Sequence, residues 1–546
     1  MVLLLSFLLQ TGHLYAQSDP SGESYPTRTF AITNAHIIQS PGKVIENGTV
    51  ILSNGLITAI GTNVSIPDNA EVIDGTDLFV YPGFIDGMSN TGAARPTQIE
   101  RPDNIFTPNP PNDYAGITPE YSVIDQIDVS ENSIEGLRKL GFTISHTVPY
   151  GRMLPGSGSL ILLSKRDTKD ELVLKQNVSM FTQFSGAPGA YPGNTLGIMA
   201  KFRNLYKNAE LTKQHEVLYA DNPTGIQRPT QDQVLQAFYP VIDQKKPIFY
   251  HTNSMLEARR AMKLKEELNF NLVLSDLEEA WFLTNDLKGS GVSVMMSLNL
   301  PDAPKETKSK DKLDETDHLE ERRMVAYNQS LSQFSELAEA GIPFGFSTMG
   351  TSQSKIKSNL VTLVDSGMTE DVALAALTTN PAKILGIDKI AGSLETGKLA
   401  NAVVSTGSYF GKESKVKYVF IDGDKYEFDT DKKAVATSIE GMEPLIGTWN
   451  YEIISPQGDR TGQMIFKIES GSLTGVLTSS SGNPDTDINN ISFEDGKLSF
   501  DFAFGAGGQS LEVLVNGDVT ENEFLGEASI AAFNAVIPMN ATKEPN

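Results

Sequence analysis

The sequence predicts an α/β protein built as a (β/α)8 TIM-type barrel. A small flanking β-sandwich is drawn from the chain on both sides of the barrel, and a separate all-β domain follows at the C-terminus. Three observations carry this expectation. Between about Phe84 and Gly386, short apolar runs of strand type alternate with amphipathic stretches of helix type, the pattern of βα units around a parallel sheet. On either side of that region the chain reads as short β runs separated by turn residues. From Leu445 onward, short strands recur with Gly, Asn and Asp turns between them, as in a sandwich or small barrel.

The predicted boundaries are an export signal over 1–16, the composite sandwich over 28–80 and 388–430, the barrel over 81–387, and the C-terminal domain over 443–546. The signal rests on the apolar run "VLLLSFLL" and the small-residue site Leu14-Tyr15-Ala16 before Gln17. That run is too short to span a bilayer, so a periplasmic or secreted protein without an integral membrane span is expected. "FAITNAHIIQ", "GTVILSNGLITAIG" and "AEVIDGTDLFVYPG" supply the first part of the small sheet. "GSLETGKLANAVVSTG" and "VKYVFIDGDKYEF" complete it. Within the barrel segment, "GFTISHTVPY", "PIFYHTNS", "NLVLSD", "VSVMMSLNLP" and "GIPFGFSTMG" are the strands; "SIEGLRKL", "MLEARRAMKLKEEL" and "MTEDVALAALTTNPAKILG" are helices. The polar stretch from Pro301 to Arg323 reads as a solvated insertion over one end of the barrel, with a lid as the alternative.

Composition narrows the function. A formal charge of −24 and an acidic balance of 68 Asp and Glu against 44 Lys and Arg exclude nucleic acid as the expected partner, since a phosphate backbone would repel this surface. The chain has no cysteine, which removes disulfides, thiolate nucleophiles and Cys-based zinc sites together. No Gly-rich nucleotide-binding motif follows any predicted strand. "LPGSGSL" lacks the second glycine of a nucleophile elbow, because residues 156–160 read Gly-Ser-Gly-Ser-Leu.

Several separated pieces resemble the amidohydrolase superfamily, and within it the exported imidazolonepropionase-like branch. "VIDGTDLFVYPGFIDG" is similar to the family's passage from small sheet into first barrel strand. "GFTISHTVPYGRMLPGSGSLILL" resembles its second or third strand with a Pro/Gly-rich loop. "YHTNSMLEARRAMKLKEELNFNLVLSD" resembles its fifth strand, helix and sixth strand, and "GMTEDVALAALTTNPAKILGID" its closing helix. The resemblance implies a divalent metal, zinc above all, at the C-terminal ends of the strands. That metal would lower the pKa of a bound water, and an aspartate at the end of strand eight would take the proton. The implied reaction is hydrolysis of a carbon-nitrogen bond in a cyclic amide, an imide or a dipeptide-like substrate.

The ligand positions implied by the resemblance are mostly substituted. Strand one should bring two histidines and brings Met88 and Asn90. Strand five retains His251. The strand-six position falls on Asp276, or on Ser275 if the register slips by one. Met349 stands where the general base belongs. His251, Asp276 and Asn90 remain as a candidate mixed-ligand metal set, and His146 is a candidate pocket residue. Asp86 is expected as a turn or cap residue at the end of strand one. Met88 and Met349 are expected to fill the former metal cavity with adaptable apolar side chains. His36 is expected to be structural, and His215 and His318 to lie on solvated faces. Two functions follow as expectations: an exported carbon-nitrogen hydrolase with an altered metal site, or a catalytically silent homologue. The latter would bind a small molecule, an active amidohydrolase partner or a second copy of itself.

Overall fold

The structure is a computed structural model, described over residues 29–95, 104–304, 314–428 and most of 442–544. The predicted export signal lies outside the described residues. The chain forms three units, each with its own apolar core.

The largest unit is an eight-stranded sheet whose strands lie side by side in chain order: Phe84–Ser89, Phe142–Thr147, Gly156–Leu162, Val173–Gln183, Ile248–His251, Leu272–Leu277, Ser293–Ser297 and Phe344–Ser347. The first, second, third, sixth and eighth are buried along their whole length, as strands covered on both faces must be. The expectation of eight regular βα units holds only in part. The third strand runs antiparallel to both neighbours. Its reason is length: residues 148–155 are too few for the dozen or so that a parallel crossover needs, and Pro149, Gly151 and Pro155 turn the chain straight back.

The first and eighth strands meet through specific bonds. The Ser347 hydroxyl donates to the Met88 carbonyl at 2.8 Å, the Met349 N–H donates to the same carbonyl at 3.2 Å, and the Thr348 N–H donates to the Asp86 carboxylate at 3.1 Å. Asp86 is fully buried and also accepts from the Ser145 hydroxyl of strand two at 2.8 Å. It is thus an interior residue of strand one that joins three strands, not a cap at its end. Gly87 beside it is equally constrained: a Cβ there would meet the Met295 sulfur at 2.5 Å and the Phe346 carbonyl oxygen at 2.6 Å.

The helix Met255–Leu268 leaves strand five with a Ser-x-x-Glu start. Ser254 accepts from the Glu257 N–H at 3.4 Å, and Glu279 from the next strand's loop accepts the orphan Met255 N–H at 2.9 Å. Ala258, Ala261, Leu264 and Leu268, spaced three and four apart, form its buried face, and Asn269 ends it in the left-handed conformation. Thr195–Asp221 forms a long helix whose buried residues all fall between Ile198 and Ala209, so its apolar spacing identifies only half of it. The polar insertion also differs from expectation. Residues 305–313 lie outside the described ones, but Asp314–Glu339 is one helix, so the right half of the predicted loop is ordered.

The small sheet takes strands from both sides of the barrel. Ala402–Ser405 pairs antiparallel with Phe79–Pro82, which lies parallel to Thr29–Ser40. Beyond residue 442 the chain forms a closed antiparallel barrel of eight strands, Gly447–Ile453 to Ala535–Lys543. Of the two readings open for this domain, the barrel is the one found. Trp449 and Tyr451 are both buried in it, and the Trp449 indole N–H reaches the Leu445 carbonyl at 2.8 Å, so these aromatics build core and not a carbohydrate surface. Among the described residues, no helix is long and apolar enough to cross a membrane.

The tightness around Gly87 gives a test. Gly87→Ala should cost about 1–3 kcal/mol of stability, because one of its two clashes is with backbone that cannot rotate away. Chemical denaturation measures this, and an unchanged midpoint would show that strand one has room at this position.

Candidate functional site

A large cavity opens at the end of the barrel where strands one, five, six and eight finish. Asn90, His251, Asp276, Thr348 and Met349 all line it. Strands five and six bring together two of the candidate metal ligands, His251 and Asp276, side chain to side chain. His251 Nε2 lies 3.2 Å from an Asp276 carboxylate oxygen. The backbone explains why Asp276 and not Ser275 makes this contact. Ser275 is the ladder partner of His251. Asp276 leaves the ladder, with φ at +58°, where the strand's register to its other neighbour shifts. Aspartate tolerates this left-handed conformation better than most residues.

Burial works against a charge on His251, but the Asp276 hydrogen bond and carboxylate, with Glu257 and Glu278 behind them, outweigh it and hold the imidazolium above the usual histidine range. Glu278 is pushed up to about 7, first by burial and then by the nearby charge of Asp276. Burial also raises Glu257, against the pull of the His251 cation. Asp276 itself is only 5% exposed, and its second carboxylate oxygen has no hydrogen-bond partner. The corner is therefore acidic, partly protonated near neutrality and incompletely satisfied.

The other predicted residues fall differently. Met88 is fully buried in the main core and does not line the cavity, whereas Met349 is half-buried at its rim. The expected apolar filling by two methionines thus reduces to one at the mouth. Within the barrel it is Met295 that comes closest to Gly87 and Gly345 of the first and eighth strands. Asn90 lines the cavity, but its amide N–H is committed to the Val148 carbonyl at 2.7 Å. His146 is fully buried, with one ring nitrogen 2.9 Å from the Gly87 carbonyl and the other 2.8 Å from the Ser179 hydroxyl; it braces strands one, two and four away from the cavity. Burial lowers its pKa to about 4, so it stays neutral. His36 pairs with Glu46 at 2.6 Å in the small sheet, and His318 approaches Glu321 at 3.8 Å on an exposed helix.

Sequence reasoning missed Glu257, Glu278 and Glu279, which ring the His251–Asp276 pair and line the same cavity. Their signal was present: "HTNSMLE" and "SDLEEAW" place acids within a few residues of the two strand ends. Glu257 is a first-turn helix acid of a kind common enough as a cap to pass unnoticed, and Glu278 and Glu279 lie in the loop after strand six.

A divalent metal can be tested against this donor set. Zinc takes several nitrogen, sulfur or oxygen donors converging at about 2.0–2.3 Å, and a thioether is a poor one. Among the described residues, no three or more His, Cys, Asp or Glu side chains are grouped so as to hold a metal ion. The residues present do not fit the family's metal centre. The histidine-aspartate pair gives a direct check: Asp276→Asn should lower the His251 titration midpoint followed by NMR. Because that midpoint is raised in the wild type, the pair's contribution to stability is complete below the ordinary histidine value of about 6.5 and lost as pH rises through the raised one. An unmoved midpoint would break the pairing.

Comparisons with known proteins agree with this architecture. The sequence model of the amidohydrolase family matches residues 291–425. No curated protein matches the chain. Among solved structures, an amidohydrolase from Thermotoga maritima MSB8 is similar over 73% of this chain and 100% of its own, at 23% identity and a TM-score of 0.60. A prolidase complexed with N-methylphosphonate-L-proline and a β-aspartyl dipeptidase from Fervidobacterium islandicum-AW-1 are more distant. They show 14% and 15% identity and TM-scores of 0.45 and 0.42, covering 73% and 74% of this chain and 100% and 98% of their own. The family match thus covers the closing part of the barrel and the return to the small sheet, and the fold of the preceding strands is shared with the Thermotoga amidohydrolase.

Proposed function

We propose that this protein is a catalytically silent amidohydrolase homologue that binds a small molecule in the barrel cavity, exported by the segment at its N-terminus. What supports the reading is that three of the five positions the resemblance assigns to the metal ligands and the general base hold residues unsuited to the role. Met88 is withdrawn into the core, Asn90 is tied to a carbonyl, and Met349 stands at the general-base position, leaving His251 and Asp276 as a pair. Changes behind a metal's direct ligands already lower affinity by about 10–100-fold, so loss of most of the ligands removes tight binding. Loss of the general base removes about a further 10²–10⁴-fold in rate. The cavity itself remains open, and it is lined by apolar and aromatic side chains with polar groups among them, as small-molecule sites are.

A second reading keeps hydrolysis. Glu278, poised near neutrality, and the His251–Asp276 pair are groups able to move protons at the strand ends. On this reading the protein cleaves carbon-nitrogen bonds in a cyclic amide, imide or dipeptide-like substrate without the family's ligand set.

Assays of hydrolysis on cyclic amides, imides and dipeptides, with and without added zinc or manganese, separate the two. The silent homologue should give no turnover above buffer in either condition. Turnover that is lost in both His251→Ala and Glu278→Gln would establish the hydrolase and overturn the binding reading.

A further inference from the structure

The acids around His251 lack the partners that acids in a cavity usually have. Asp276 is nine-tenths buried, lines the cavity, and has one oxygen on His251 and the other on nothing. Glu278 accepts a long 3.4 Å bond from the Asn299 amide, and Glu279 accepts the Met255 N–H. Among the described residues, no lysine or arginine forms an ion pair with Glu257, Asp276, Glu278 or Glu279. The cations that do line the cavity are engaged elsewhere. Arg95 sits 5.6 Å over the Tyr150 ring, Arg152 donates to the Tyr114 carbonyl at 3.1 Å, and Lys355 lies 3.6 Å from Asp302. An unpaired buried carboxylate oxygen carries its desolvation cost until something supplies a donor.

We infer that this corner, Glu257, Asp276, Glu278 and Glu279 with Trp281 beside them, binds the ammonium or guanidinium group of a small organic cation where the family holds its metal. A metal ion demands three or more donors converging on one point, which these residues do not provide. An organic cation makes no such demand. Its N–H groups fan outward, each to a separate carboxylate at about 2.7–2.9 Å, so dispersed acids suit it. Trp281 lines the same cavity, and an aromatic ring beside the acids is a group that such cations favour. The chain's charge of −24 steers cations toward it and repels anions. The inference rests on the reading of the cavity as a binding site, and names the class of ligand.

Agmatine, which carries both an ammonium and a guanidinium group, is the probe, with putrescine beside it and uncharged 1,4-butanediol as the control. In calorimetric titration of the full chain, agmatine should bind and butanediol should not. Asp276→Asn and Glu278→Gln should each weaken agmatine by about tenfold or more, the loss expected when a charged hydrogen-bond partner is neutralised. Thermal midpoints keep this falsifiable if one variant is unstable, because Glu257→Gln, at a half-buried helix start, should weaken agmatine as well without unfolding the chain. Absence of agmatine and putrescine binding, equal affinity in all three variants, or displacement of agmatine by zinc or manganese would overturn the inference. Amide hydrolysis would contradict the binding-protein reading instead. A protein that neither hydrolyses amides nor binds agmatine would leave that reading standing and remove only this ligand class.

Discussion

The barrel depends on the carboxylate of Asp86. It is wholly buried, accepts the Ser145 hydroxyl from strand two and the Thr348 N–H from strand eight, and is pushed above the usual aspartate range by burial, against the pull of those donors. A buried carboxylate is costly unless its lone pairs are filled. It also accepts the Met88 N–H of its own strand at 3.3 Å, so its full set of partners is complete only where strands one, two and eight adjoin. This constraint fixes which strands adjoin and at what level they end. It therefore sets the positions of the residues that follow Asp86, Ser145 and Thr348 in the chain.

What those strands deliver is a family frame with altered chemistry. The seam that joins Met88 and Met349 through a backbone bond keeps the Met88 thioether in the core and leaves that of Met349 at the cavity, and a thioether is a poor ligand for zinc. On the opposite wall, the kink at Asp276 turns a carboxylate towards His251, and three glutamates gather around the pair. The site has not become apolar. Its acids lie in an open arc and do not converge on one point, an arrangement suited to the N–H groups of a ligand.

Much of the fold was legible in the sequence because apolar runs bounded by Gly and Pro mark strands whatever their neighbours are. "PIFYHTNS" and "NLVLSD" are examples. Strand direction was not legible, since "GSGSLIL" has the same pattern read either way; the brevity of residues 148–155 was the available clue. The helix Asp314–Glu339 was hidden by its polar composition, and the end of Thr195–Asp221 by its exposed surface. In the site, residue identity located His251 and Asp276, yet only φ at Asp276 shows why that residue and not Ser275 meets the histidine. Whether Met88 fills the cavity or the core cannot be read from a motif, because it turns on the irregular register between the first two strands. His146, which resembles a pocket residue by position, is claimed by two hydrogen bonds that lie far away in sequence.

The central claim is that the ligand set no longer holds the family's metal. Elemental analysis of the purified protein, after incubation with excess zinc or manganese and removal of unbound ions, tests it most directly. The account predicts metal well below one equivalent per chain, with the same residual amount in His251→Ala. Near-stoichiometric metal that disappears in His251→Ala would contradict it.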